Sequence, residues 1–250
     1  MLTVENLHKS YQVGKTSYEV LKGVSFEVKS GEFVAVMGPS GSGKTTMLNC
    51  ISCYIPFERG EITLGDIRLA SLSEDELADV RNRKLGFVFQ DFMLLDGLSM
   101  KENIMLPRII AGKANLSMDE SADRLCQIFG IAHIRDKYPA EVSGGERQRT
   151  AVARALINNP LVILADEPTG NLDSKSSAAV IESFKQAQAN LEATIFMVTH
   201  DSFAASHCDR VIIMKDGVVH SDMKNPGDSG KFQDALLEAL KKAMNEGDAA

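Results

Sequence analysis

The sequence predicts an α/β fold on three observations. Short continuous apolar runs recur, Phe33–Met37, Leu85–Phe89 and Leu161–Ala165, as expected of strands buried on both faces. After Pro160 strands alternate with helical patterns: Leu161–Ala165, Ser174–Asn190, Thr194–Val198, Ser202–Ser206 and Arg210–Met214. Finally, 250 residues at 44% hydrophobic and 24% charged hold enough apolar material for one large domain or two small ones.

Taken in order, the first 90 or so residues are β-rich. Leu2, Val4 and Leu7 suggest a first strand, and Val24, Phe26 and Val28 alternate with Ser25 and Glu27 in a half-buried one. Ile62, Leu64, Ile67 and Leu69 form a hairpin near Gly65-Asp66. Thr45–Ser52 is a helical run, and Ser73 with Glu76 is a capping-box pair opening a helix to about Lys84. From Asp91 to about Asn159 helical patterns take over, at Lys101–Ala111, Met118–Phe129 and Gly144–Asn158. Asp216-Gly217 marks a hairpin turn, and Ser221–Gly230 has loop composition. Beyond it Phe232, Ala235, Leu236, Ala239, Leu240 and Ala243 share one helix face. That face either packs on its own domain or docks a partner or second copy. The expected organisation is one domain of 1–250: residues 1–90 and 160–220 as core with an antiparallel β part, 91–159 as a helical insertion, and 221–250 as loop and helix.

The formal charge is −7, which argues against nucleic acid held by bulk electrostatics. No run approaches the roughly 20 apolar residues of a membrane span. Met1–Asn6 carries no basic-then-apolar leader, so the four cysteines are expected to be reduced and the chain cytosolic. Cys50-Ile51-Ser52-Cys53 lacks a second ligand pair, so it reads as an apolar helix face rather than a zinc or redox site.

Gly38-Pro39-Ser40-Gly41-Ser42-Gly43-Lys44-Thr45 matches G-x-x-x-x-G-K-[ST] between a strand and a helix, the context that motif requires. The glycines let successive N–H groups face one anion, and the helix N-terminus adds its dipole. Lys44 can reach β- and γ-phosphates, the Thr45 hydroxyl can join a magnesium shell, and Thr46 completes the set. Downstream, Leu161–Ala165 ends in Asp166-Glu167. The first carboxylate could anchor Mg2+ and the second could take a proton from an attacking water.

Val142-Ser143-Gly144-Gly145-Glu146-Arg147-Gln148-Arg149 resembles the signature of the ATP-binding-cassette (ABC) ATPases. Tyr11, Gln90, Asp173 and His200 follow the same pattern, so the resemblance spans nearly the whole chain. It implies a P-loop NTPase cassette with an antiparallel β subdomain and an α-helical subdomain, hydrolysing Mg-ATP. On this resemblance Tyr11 stacks on adenine, with Tyr18 a nearby competitor; Gln90 touches Mg2+ or the lytic water; Glu167 is the general base; His200 contacts the γ-phosphate. Ser143, Gly144, Gly145 and Glu146 would complete the site of a second copy in a head-to-tail dimer, with Asp173 lining the interface. Glu146 departs from the glutamine of many members.

Val142–Glu146 with Glu167–Asp173 resembles the lipoprotein-release and macrolide-export group. Asp91–Asp96, followed by Lys101–Ile104, is most like the bacitracin-type antimicrobial-peptide-resistance branch. The resemblance implies a separate membrane permease, placing the chain at the cytoplasmic face of the membrane. Phe92, Met93, Leu94 and Leu95 would anchor that permease or pack locally. The alternative is a non-transport, ATP-gated switch acting through a membrane protein, for example on a sensor kinase.

Overall fold

The computed structural model describes residues 1–112 and 117–245. The chain divides into two compact units, one formed by Met1–Ser73 with the chain from Phe196 onward, the other by Glu74–Ile195.

The first unit holds an antiparallel sheet of β1 (Leu2–Val13), β2 (Thr16–Val28), β4 (Arg59–Leu64) and β5 (Ile67–Arg68), in the order β2-β1-β4-β5. The strand β2 begins at Thr16, well before the alternation that starts at Val24. Its first four residues are all exposed, so no buried face writes a pattern there. Backbone pairing carries the segment instead, from Val13↔Thr16 to Tyr11↔Tyr18, across a two-residue turn with Gly14 at φ +63°.

The same unit contains β3 (Phe33–Met37), α1 (Lys44–Ile51), α7 (Ser202–Ser206), β9 (Arg210–Lys215), β10 (Val218–Lys224) and α8 (Ser229–Asn245). All five residues of β3 are buried. It lies parallel to β9, with β8 (Ile195–Val198) on its other side and β10 outside β9. The chain passes between the two units within β8. Phe26 and Phe196 stack at 5.3 Å in this core.

The loop expected over Ser221–Gly230 is largely structured. Asp216 and Gly217 both adopt positive φ, the geometry of a hairpin turn, and β10 then runs to Lys224. Ladder pairs Met223↔Val211 and Lys224↔Arg210 hold it, and the Arg210 guanidinium donates to the Asp222 carboxylate. This polar edge strand rests on backbone bonds, which composition does not record. The Asn225 amide then donates to Ser206 and Cys208 carbonyls, and α8 begins at Ser229.

The predicted apolar face of α8 packs on its own unit. Phe232, Leu236 and Ala243 are buried, α8 packs on α7, and the Gln233 amide donates to Ser202 Oγ at 3.1 Å.

The second unit comprises α2 (Glu74–Arg83), β6 (Leu85–Phe89), α3 (Met100–Ile110), α4 (Ser117–Ile128), α5 (Gly144–Leu156), β7 (Val162–Asp166) and α6 (Ser174–Leu191). The strands β6 and β7 are parallel, in register from Leu85↔Val162 to Phe89↔Asp166. The three helices expected between Asp91 and Asn159 are present. Ser99 and Glu102 form a capping box at α3, which tolerates Pro107 in its interior. At Gly86 a Cβ would stand 2.4 Å from the Ala155 carbonyl, so glycine lets α5 lie directly on β6. No helix among the described residues is long and apolar enough to cross a membrane.

Leu236 is fully buried and Leu237 is 41% exposed. Leu236→Ala is therefore expected to cost about 2–5 kcal/mol in urea unfolding. Leu237→Ala should stay within about 0.5 kcal/mol of the native chain.

Candidate functional site

The P-loop leaves β3 at Gly38, whose φ is +151° and where a Cβ would lie 2.1 Å from the Met214 carbonyl. Only glycine fits. Gly43, at φ +97°, is the N-cap of α1 and provides no side-chain cap; a Cβ there would meet Leu21 Cδ2 at 2.8 Å. A helix N-terminus capped by no side chain is suited to an anion. The Lys44 ammonium bridges the loop, donating to the Gly38 carbonyl at 2.8 Å and the Pro39 carbonyl at 2.9 Å. Ser42 is buried beneath the loop, while Ser40, Gly41 and Thr45 are exposed and Thr46 half-buried. Gly41 has φ +81° and open space where its Cβ would be.

His200 is exposed just past the carboxyl end of β8, where the Thr199 N–H donates to the Val36 carbonyl at 3.1 Å. The strand ends of β3 and β8 thus present Gly38 and His200 on one edge of the first unit, where ligands of parallel α/β sheets bind. Asp201 caps α7 through the Phe203 N–H. Tyr11 and Tyr18 are directly paired across β1 and β2, so the two rings share one face, and Lys9 lies 5.5 Å from the Tyr11 ring centre.

The second unit holds Gln90, Ser143–Glu146, Asp166, Glu167 and Asp173. Because Phe89 pairs with Asp166, Gln90 and Glu167 leave adjacent parallel strands at one level. Glu167 has φ +46°, a left-handed conformation unfavourable for a glutamate. The turn after it is closed by the Gly170 N–H donating to the Glu167 carbonyl at 3.0 Å. The Gln90 amide donates to Asn171 Oδ1 at 3.0 Å, and Asn171 Nδ2 returns a bond to Asp91 Oδ1 at 2.7 Å. Gly170 leaves room for this contact, since a Cβ there would lie 2.9 Å from Gln90 Nε2.

Ser143 caps α5. Its hydroxyl and backbone N–H donate to Glu146 Oε2 at 2.7 and 2.9 Å, and the Glu146 N–H donates back to Ser143 Oγ. His133 Nε2 meets the other Glu146 oxygen at 2.9 Å. Bonds from Ser143, against the opposing effect of burial, hold the Glu146 carboxyl below the usual carboxylate range, with His133 adding to them. The departure from glutamine therefore preserves the capping box, which either residue can close. Gly144 and Gly145 pack tightly on Leu172 and Ser176. Asp173 caps α6, accepting from the Ser176 N–H at 3.0 Å, a bond that lowers its carboxyl pKa.

The ABC transporter family model matches residues 21–170. The chain belongs to the ABC transporter family. It is similar to the bacitracin export ATP-binding protein BceA of Halalkalibacterium halodurans, at 46% identity over 94% of each chain. The ABC transporter ATP-binding protein YxdL of Bacillus subtilis is 45% identical, over 96% of this chain and 93% of YxdL. Among solved structures it resembles a dimeric post-hydrolysis state of the cassette MJ0796 bound to ADP and Pi, from Methanocaldococcus jannaschii. The TM-score is 0.80 at 39% identity, covering 91% of this chain and 100% of that one. The chain is an ATP-binding, ATP-hydrolysing cassette of this family.

Three residues make contacts to which the motif reading gives no role. Asn171 orients Gln90. Gln148 is fully buried in α5, where it interrupts the otherwise small and apolar stripe Gly145, Val152 and Ala155; that interruption and its place in the signature stretch were its visible signals. Arg154 donates to the Phe92 carbonyl at 2.7 Å and to the Met93 carbonyl. Burial pushes its guanidinium down to about 10, still charged at neutral pH. These bonds hold two consecutive left-handed residues, Phe92 at φ +60° and Met93 at +50°. The segment divides its apolar side chains: Phe92 and Leu94 are half-buried, Phe92 under the Arg147 guanidinium, while Met93 and Leu95 are exposed. Met93 lines a cavity of about 280 Å³ with Phe87, Phe89, Leu106, Pro107 and Ile110.

All four cysteines are buried, and none is in a disulfide. Burial pushes the Cys50 thiol up to about 12 and the Cys126 thiol up to about 11. Since the thiolate is the nucleophile, both should resist iodoacetamide at pH 8 in the folded protein and react once it is unfolded in urea, as read by intact mass.

Proposed function

We propose that this cassette binds Mg-ATP, closes head-to-tail on a second copy and drives a separate membrane permease handling bacitracin-like antimicrobial peptides. The observation carrying the catalytic part is the register that sends Gln90 and strained Glu167 off neighbouring strand ends. The likeness to BceA supports the peptide class, and the dimeric state of MJ0796 supports closure with a second copy.

In this reading the P-loop N–H groups of Gly38–Thr46 cradle the phosphates, and Lys44 turns from the Gly38 and Pro39 carbonyls to the β- and γ-phosphates. Tyr11, with Tyr18 on the same face, offers a ring to the adenine. Mg2+ is ordinarily held by one or two side chains plus substrate phosphates, and Thr45, Asp166 and Gln90 are oxygen donors of that kind. When bound, the ion neutralises charge on the phosphates. Gln90 orients the lytic water, Glu167 takes its proton, and His200 donates to the γ-phosphate. Ser143, Gly144, Gly145 and Glu146 present the α5 N-terminus to the second copy's nucleotide, beside Asp173. Nucleotide affinity greater for the closed pair than for the open one supplies the driving free energy. Met93, Leu95 and the adjoining cavity receive the permease, which keeps the cassette at the cytoplasmic face of the membrane.

Glu167→Gln should bind ATP normally and hydrolyse it about 10²–10⁴-fold more slowly. Purified with ATP from detergent-solubilised source membranes, this variant should co-elute with a polytopic membrane protein, identified by mass spectrometry. A ribosomal, DNA-bound or purely soluble partner would overturn the transporter reading. Gly170→Ala places a methyl against the Gln90 amide, a movable side-chain end. It should stay within about 1 kcal/mol of native stability while hydrolysing ATP several-fold more slowly.

A further inference from the structure

We infer that Gln148 is a positioning residue for ATP hydrolysis: one buried amide that ties the Gln90 peptide group and the Pro168 carbonyl just past Glu167 to the signature helix α5. The inference rests on the proposed roles of Gln90 and Glu167. Gln148 Nε2 donates to the Phe89 carbonyl at 3.1 Å and to the Pro168 carbonyl at 2.8 Å. The Phe89 carbonyl belongs to the peptide group of Gln90. Pro168 directly follows Glu167 and precedes the Gly170 N–H that closes the turn. One amide nitrogen therefore spans the two strand exits that carry the lytic residues, and it does so from a third element.

The amide is not there for stability alone. Gln148 is fully buried, and among the described residues its Oε1 meets no hydrogen-bond donor, so the residue carries an acceptor the fold does not pair. An apolar side chain of the same length would avoid that penalty, at the cost of leaving two carbonyls unbridged. What the amide supplies is location. Glu167 sits in a left-handed conformation that persists only when its surroundings over-determine it. The Gly170 bond constrains that turn from within, and Gln148 constrains it from α5. Ser143 caps the same helix five residues earlier, so a rigid displacement of the signature end moves the tether as well. A nucleotide contact at Ser143–Gly145 would in this way be felt at Gln90 and Glu167.

The test compares Gln148→Leu and Gln148→Glu with the native full-length chain. Gln148→Leu keeps the volume and removes both donors. It should retain the native circular dichroism spectrum and bind a fluorescent ATP analogue with Kd within about twofold, while kcat falls roughly tenfold to a hundredfold, the scale of a displacement near 1 Å. In Gln148→Glu the introduced carboxyl has one O–H donor when protonated and none when ionised, and burial raises its pKa. Its kcat relative to native should rise as pH falls from about 8.5 to about 6, whereas the Gln148→Leu ratio stays flat. The charged groups around it, Arg147, Arg149 and Arg154 on α5, Asp91 beside Gln90, and Asp166 and Glu167 after β7, are common to all three proteins. A folded Gln148→Leu chain with native kcat, or a Gln148→Glu ratio that falls as pH falls, would overturn the inference. Glu167→Gln measured alongside separates the two levels. Native hydrolysis by that variant removes the catalytic reading itself. Lost hydrolysis there with unaffected Gln148 variants removes only the tether.

Discussion

The close approach of two backbones at Gly38 governs the first unit. The register of β3 with β9 brings the end of β3 against the Met214 carbonyl, where no Cβ has room. The same need for bare backbone recurs at Gly43, pressed on Leu21 and the Val20 carbonyl, and at Gly217, where a Cβ would stand 2.3 Å from that same carbonyl. The P-loop is thus wedged between β9 and β2, and its glycines answer to packing as much as to phosphate. Lys44 then finds the Gly38 and Pro39 carbonyls within reach because the wedge turns them inward. A loop held this way presents its N–H groups without needing to be ordered by a ligand, and pre-organisation of that kind is where affinity for a charged phosphate is gained.

In the second unit three of the five described non-glycine residues with positive φ lie in the segments proposed for chemistry and permease contact; the others are Asn159 and Glu192. Glu167, Phe92 and Met93 all have positive φ, and α5 restrains each of the two segments through one long polar side chain. Gln148 reaches the Pro168 carbonyl beside Glu167; Arg154 reaches the carbonyls of Phe92 and Met93. Both side chains are largely buried, at the expense of an unpaired amide oxygen in one case and a desolvated guanidinium in the other. Gly86 makes this possible by letting α5 settle against β6. One helix therefore carries the signature residues at its start, the tether to the proposed lytic residues in its first turns and the restraint on the proposed permease-contact segment near its end.

Much of this was readable along the chain. The strand Phe33–Met37 and helices such as Ser174–Leu191 have periodicity and caps encoded within a few residues. The P-loop and signature were readable because phosphate chemistry demands particular residues at fixed spacing. The tail helix showed its buried stripe but not its destination; contact with α7 decided between its own unit and a partner. The start of β2 and the run of β10 past Ser221 were invisible because their pairing is carried by backbone bonds on a solvated edge, although Asp216-Gly217 announced the hairpin. Tyr11 and Tyr18 could not be separated in sequence, and pairing explains why: they occupy one cross-strand position on one face.

Local order and the motifs proposed to handle phosphate follow from the amino-acid sequence, since both depend on neighbours a few positions apart. The placement of Gln90 by Asn171, of Glu167 by Gln148, and of the Phe92–Met93 bend by Arg154 belongs to the folded chain. Each joins groups between 20 and 81 residues apart, and no local preference encodes such a bond. Such bonds require the parallel register of β6 and β7 and the seating of α5, which bring the partners within reach.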